Sequence, residues 1–203
     1  MKGRQISAVV IGASAGGVEA LLTLLPALER SCGVPVLVVV HLPRERPSRL
    51  VELFGPRCRV KVSEAEDKQP IEPGCVYFAP PDYHLLVDEG PTLSLSSDEL
   101  LHFSRPSIDA LFESAADAYR AGLLGIVLTG ANADGAEGLA AVARAGGLTV
   151  VQTPRSANVA TMPEAALKAA PSSSSLDLSQ IAAVLRSIDG GRLTGEMPAR
   201  SCE

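Results

Sequence analysis

Ser14 lies in Gly12-Ala13-Ser14-Ala15-Gly16-Gly17, which fits the pattern G-x-S-x-G. An isolated hydroxyl is a weak nucleophile, but small neighbours let it project from a sharp turn between a strand and a helix. The N–H groups at the start of that helix point the same way, and the helix dipole adds positive potential for a developing oxyanion. The N–H of Ala15 is the first candidate donor, with Gly16 beside it. The same glycines also suit a phosphate-binding turn, and Ser14 suits a helix cap. A dinucleotide fingerprint, however, wants G-x-G-x-x-G and an acidic residue closing the second strand. Here the glycine order differs, and the second strand runs into His41.

His41 follows Val38-Val39-Val40 and is expected at the mouth of the same sheet, where an imidazole can take a serine proton at neutral pH. His84 and His102 are the alternatives; both fall in or beside a hairpin region and neither closes a parallel strand. A third strand leads into Leu128-Thr129-Gly130-Ala131-Asn132-Ala133-Asp134-Gly135. Asp134 there can orient an imidazole and stabilise its charged form, or it can cap the helix that follows. Together these strand ends bring a nucleophile, a base and an acid to one rim. Their chain order, Ser, His, Asp, differs from the Ser, Asp/Glu, His order of α/β-hydrolases, so a different fold is expected.

The elements that must position these residues can be read from periodicity. Ser7–Ile11 and Pro35–Val40 are uninterrupted apolar runs of the kind found in buried parallel strands. Between them Val18, Leu21, Leu22, Leu25 and Leu28 mark a helix that Pro26 should kink or end. Val60–Val62, Val76–Ala79, Leu85–Val87 and Leu93–Leu95 are short strands broken by turn residues, which predicts antiparallel hairpins at a sheet edge. Helical spacing returns at Ile108, Leu111, Phe112, Ala115, Ala116 and Tyr119, followed by a buried strand at Leu124–Leu128. A helix over Ala136–Ala145 ends at Gly146-Gly147 and leads into a strand at Leu148–Val151. Pro163–Ala169 and Leu178–Ile188 read as closing helices, and the polar segment from Gly190 as loose. The expected fold class is α/β: a doubly wound, mostly parallel sheet with helices on both faces and an antiparallel hairpin at one edge. Residues 1–190 should form one catalytic domain and residues 191–203 a polar tail.

Composition narrows the function classes. The chain has 203 residues, 46% of them apolar but only 3% aromatic, so one core built from Ala, Val, Leu and Ile is expected. A net charge of −5 without a basic stripe argues against nucleic acid as a partner. No apolar run approaches the roughly 20 residues of a membrane-spanning helix, so no membrane insertion is expected. Cys32, Cys58, Cys75 and Cys202 form no CxxC pair, and neither a metal site nor a cofactor is suggested. Lys2 and Arg4 before an apolar stretch and Ala13-Ser14-Ala15 imitate a signal peptide, but the stretch is short and runs straight into an amphipathic helix. A cytoplasmic location is expected.

The sequence from about Ile6 to Ile188 strongly resembles the catalytic domain of the chemotaxis receptor protein-glutamate methylesterase family, the CheB type. Its marks are Ile11 to Ala20 around Ser14, His41-Leu42-Pro43, Ala79-Pro80-Pro81-Asp82-Tyr83-His84, Arg105-Pro106-Ser107-Ile108-Asp109, and Leu128-Thr129-Gly130 with Asp134-Gly135. The resemblance implies that Ser14, His41 and Asp134 take the family's nucleophile, base and acid positions. It also implies the substrate: γ-glutamyl methyl esters on the helical cytoplasmic bundle of methylated chemoreceptors, with a related deamidation of glutamine. Arg105-Pro106-Ser107 would shape the cleft entrance or form a salt-bridged helix start.

Two departures carry expectations of their own. The family loop usually reads Thr-Gly-Met-Gly, whereas here Ala131 and Asn132 replace the last two residues, which alters the pocket wall. Asparagine at that position is expected to keep a left-handed conformation. Many family members also carry an N-terminal receiver domain, whereas the matching segment here starts almost at Met1, as expected either of a stand-alone esterase controlled by other means, with a separate regulatory protein as a partner, or of an excised fragment. A second reading, an adaptor that binds receptor with its chemistry impaired at Ala131 and Asn132, predicts binding without turnover.

Overall fold

The computed structural model describes residues 3–42, 48–88, 90–101 and 104–195. The chain begins with β1 (Arg4–Gln5), β2 (Ala8–Ala13), α1 (Gly17–Leu24) and β3 (Val36–Val40). It continues through α2 (Leu50–Phe54), β4 (Lys61–Glu64), β5 (Cys75–Phe78), β6 (His84–Asp88) and β7 (Thr92–Ser96). Then come α3 (Ile108–Tyr119), β8 (Leu123–Val127), α4 (Ala136–Arg144), β9 (Leu148–Gln152) and α5 (Thr161–Ala169). The described chain closes with β10 (Ser174–Leu176), α6 (Leu178–Arg186), β11 (Ile188–Asp189) and β12 (Arg192–Leu193).

Seven strands form one sheet in the order β10-β9-β8-β2-β3-β5-β4, and every pairing in it is parallel. The order reverses around β2, which lies between β3 and β8, so a cleft opens at the carboxyl ends of these central strands. Parallel strands covered on both faces must be apolar throughout, and β2, β3 and β8 are buried at every position. Side chains alternate between two cores. Val9 and Ile11 of β2 and Val38 of β3 pack with Leu21 and Leu24 of α1 and Ile181 and Leu185 of α6. Val10 and Val39 face the other way, against Leu111 and Phe112 of α3, Leu139 of α4 and Met162 of α5. The doubly wound α/β fold and helices on both faces stand as expected.

The expected hairpins need correction. β4 and β5 are not an antiparallel pair; they are parallel members of the main sheet, and β4 is its edge. The link between them contains no helix, so the sequence lacks the period change that normally signals a parallel crossover. Only β6 and β7 form the hairpin, as a separate antiparallel sheet. It is tied to the β4–β5 link near that edge by Lys68 N–H to Leu93 O at 2.9 Å and Leu93 N–H to Gln69 O at 2.8 Å. Leu85, Val87 and Leu93 of the hairpin join the core beneath α3.

The serine-rich segment before Leu176 forms β10, an edge strand whose polar composition hid it from pattern reading. The segment from Gly190 is also not loose at its start: β12 pairs with both β1 and β11. Among the described residues no helix is long and apolar enough to cross a membrane.

α3 and α4 cross closely at Gly138, where a glycine is required. A Cβ on Gly138 would lie 2.6 Å from Phe112 Cβ and 2.9 Å from the backbone Cα of Asp109. Gly138→Ala is expected to lower unfolding free energy by about 1–3 kcal/mol in urea titration, overcoming alanine's intrinsic helix preference. A variant as stable as the parent would contradict this crossing.

Candidate active site

Ser14 follows directly on β2, and its N–H donates to Thr129 O at 2.9 Å, joining the serine turn to the loop after β8. Gly16, at φ 77°, lets the chain reverse into α1; a Cβ there would also meet the Asn158 side chain at 2.6 Å. Thr129 braces the turn further. Its hydroxyl lies 2.8 Å from Ala15 O and accepts Val159 N–H at 2.9 Å, while its own N–H donates to Gln152 Oε1 at 2.9 Å. Among the described residues the N–H groups of Ala15 and Gly16 have no acceptor. They stand at the positive end of α1 beside the Ser14 hydroxyl, where an anion would be stabilised.

His41 follows β3, whose register with β2 pairs Ala13 with Val40, and its N–H donates to Ala13 O at 3.1 Å. The ring is thereby set beside the serine. His41 Nδ1 lies 3.2 Å from Ser14 Oγ, and Nε2 lies 2.8 Å from Asp134 Oδ2. A carboxylate at Nε2 holds the proton there and leaves Nδ1 as the acceptor facing the hydroxyl. The two ring nitrogens thus exchange the places they have in the serine-protease triad.

Asp134 is fully buried, and its carboxylate sits on the N-terminus of a helix other than the one it precedes. Oδ2 also accepts Ile108 N–H at 2.8 Å; Oδ1 accepts Ser107 Oγ–H at 2.8 Å and Asp109 N–H at 3.0 Å. The cap position of α4 belongs to Gly135, at φ 95°, so the alternative reading of Asp134 as cap of its own helix does not hold. Asp109 returns the contact. Its Oδ1 accepts Gly135 N–H at 2.9 Å and Gly138 N–H at 2.7 Å, capping α4 from α3.

The remaining sequence candidates fall as follows. Ala15 and Ala131 are exposed, and Ala131 lies on the loop that Thr129 ties to the serine turn. Asn132 is not left-handed; its side chain accepts Asp134 N–H at 3.3 Å instead, a local turn bond that asparagine makes and glycine cannot. Arg105 is the salt-bridged brace rather than part of this line. Its Nη2 lies 2.8 Å from Asp82 Oδ1, and its Nη1 donates to Ser97 O and Asp98 O at 2.7 and 2.9 Å. His84 is buried, with Nε2 on Glu99 O at 3.0 Å and Nδ1 accepting Ser107 N–H at 3.1 Å. His102 and Pro43 lie outside the described residues.

The sequence placed Ser107 only at a cleft entrance or a helix start, and did not mark Asp109, Thr129 and Gln152 as parts of the site. Ser107 and Asp109 stand in a motif that was visible, but a serine and an acid at a helix start read as ordinary capping residues.

A hydroxyl, an imidazole and a buried carboxylate in hydrogen-bonded line, beside N–H groups at a helix start, form the kind of arrangement that serine hydrolases use. The comparisons name the kind. Residues 9–185 match the CheB methylesterase family. A Leptospira interrogans protein, named as a candidate protein-glutamate methylesterase/protein-glutamine glutaminase, is 44% identical over 186 residues, covering 92% of this chain and 96% of its own. A Caulobacter vibrioides protein-glutamate methylesterase/protein-glutamine glutaminase is 36% identical over 180 residues; the match covers 87% of this chain and 52% of that protein. The crystal structure of the Thermotoga maritima CheB methylesterase catalytic domain superposes with a TM-score of 0.84 at 28% identity, covering 93% of this chain and all of that one. The chain belongs to the CheB methylesterase family.

Burial alone would push the Asp134 carboxyl up. The hydrogen bonds from His41 and from the Asp109 and Ile108 N–H groups, with the charge of His41, outweigh it and hold the group below its ordinary 3.8. A folded value below the unfolded one means that Asp134 stabilises the fold above that pH, and the contribution is lost as pH falls through the folded value. In urea titrations the parent is expected to lose stability as pH drops below 3.8, and Asp134→Asn to flatten this part of the profile. An equal slope in the variant would place the acid sensitivity elsewhere.

Proposed function

We propose that this chain hydrolyses glutamate γ-methyl esters on the cytoplasmic helices of methylated chemoreceptors, and that it deamidates receptor glutamines by the same route. The observation that carries this reading is the line from Ser14 Oγ through His41 to Asp134, at 3.2 and 2.8 Å, in a chain of this family. A substrate on the cytoplasmic part of a receptor also places the reaction in the cytoplasm.

Ser14 Oγ attacks the ester carbonyl while His41 Nδ1 takes its proton. The tetrahedral oxyanion is met by the N–H groups of Ala15 and Gly16, which have no acceptor among the described residues and stand at the start of α1. When the intermediate collapses, the imidazolium returns its proton to the leaving oxygen and methanol departs, leaving a glutamyl ester on Ser14. Water then attacks that ester, with His41 again the base; the acyl–Oγ bond breaks, the imidazolium returns its proton to Ser14 Oγ, and the glutamic acid side chain leaves and ionises. Asp134 stays ionised throughout and stabilises the imidazolium. With a glutamine substrate the same steps release ammonia in place of methanol.

Methanol release from methylated receptor is the direct test. The parent should release it, and Ser14→Ala should be slower by about 10³-fold or more, as for loss of a triad serine. Equal release by both proteins would overturn the reading.

A further inference from the structure

We propose that Ser107, held in place by His84, is a positioning residue that orients the Asp134 carboxylate toward His41. This rests on the functional reading above. Asp134 has two oxygens and must present one of them, Oδ2, to the ring. Two of its donors, the Ile108 and Asp109 N–H groups, belong to the helix start itself. The Ser107 hydroxyl is different: it comes from a side chain and binds Oδ1 at 2.8 Å, the oxygen turned away from His41. Holding Oδ1 fixes rotation about the carboxyl bond, and thereby fixes Oδ2.

Ser107 is itself fully buried, so no solvent stands ready to replace a lost donor. Its backbone is anchored by an uncommon bond, in which the Ser107 N–H donates to a ring nitrogen, His84 Nδ1, at 3.1 Å. The other ring nitrogen, Nε2, then carries the proton toward Glu99 O at 3.0 Å. His84 lies at the start of β6, so the bond links the hairpin to the first turn of α3. Arg105 strengthens the same link through Asp82. The two motifs at Ala79–His84 and Arg105–Asp109 therefore interlock, and their joint product is the direction in which one carboxylate faces.

Ser107 also caps α3, its Oγ accepting Ala110 N–H at 3.4 Å, so the two roles must be separated. Glycine replaces serine at a cap position with little loss, whereas alanine is poorly tolerated there. A purely capping Ser107 predicts that Ser107→Gly works nearly as well as the parent; a positioning Ser107 predicts that both variants are slow. Two rates decide it. One is methanol release from methylated receptor. The other is labelling of Ser14 by a fluorophosphonate, in which the Oγ–P bond forms, the P–F bond breaks, fluoride leaves and the serine proton passes to His41. Both Ser107→Ala and Ser107→Gly should lower kcat between roughly 10- and 100-fold with KM unchanged, and should slow labelling by a similar factor. Parent-like rates in Ser107→Gly, or a change confined to KM, would overturn the proposal. If the parent is labelled rapidly yet releases no methanol, the substrate reading fails, while the labelling rates of the two variants still decide the role of Ser107.

Discussion

Asp134 and Asp109 each place a carboxylate on the first turn of the other's helix, and the rest of the site depends on this exchange. Asp134 receives the N–H groups of Ile108 and Asp109, and Asp109 receives those of Gly135 and Gly138. A buried carboxylate is costly unless its lone pairs are filled, and a helix start offers N–H groups that have no partner of their own. Each charged hydrogen bond of this type contributes about 1.5–3 kcal/mol, and the helix dipoles add to it. The exchange requires α3 and α4 to approach almost backbone to backbone. Gly138 makes that approach possible.

The catalytic geometry follows from this lock and from the sheet. Parallel register sets Ser14 and His41 side by side at adjacent strand ends, since Ala13 pairs with Val40. The carboxylate must come from farther along the chain, on the loop after β8, where the capping exchange holds it at the start of α3 and the Ser107 hydroxyl fixes its direction toward the ring. Gly12 contributes from below. A Cβ there would meet Ile108 Cγ2 at 2.2 Å, so the strand that carries the serine also seats the helix start that holds Asp134. The serine turn is secured from the opposite side by Thr129, which binds it with both its carbonyl and its hydroxyl. Ser14, His41 and Asp134 are thus held by one connected set of contacts.

Much of this was legible in the chain. Apolar runs and helical spacing identify the central strands and their helices, because both leave a period in the pattern. Ser14, His41 and Asp134 could be found from their place at strand ends. The edge was harder: β4 and β5 lack a helical crossover, and β10 is built from serines, so neither carries the usual signature. The support around Asp134 was hidden for another reason. A serine and an aspartate at a helix start look alike whether they cap their own helix or hold a residue from elsewhere. Asn132 illustrates the same limit, since its side-chain bond to the Asp134 N–H replaces the left-handed backbone expected from the family's glycine.

The lock on Asp134 leaves His41 Nδ1 unprotonated and facing Ser14, as a base requires. Nitrogen NMR on protein containing 15N-labelled histidine tests it most directly, with the neutral His41 ring assigned through a His41→Gln control. A proton on Nε2, shared with Asp134, and an unprotonated Nδ1 are expected; a neutral ring with its proton on Nδ1 would contradict this arrangement.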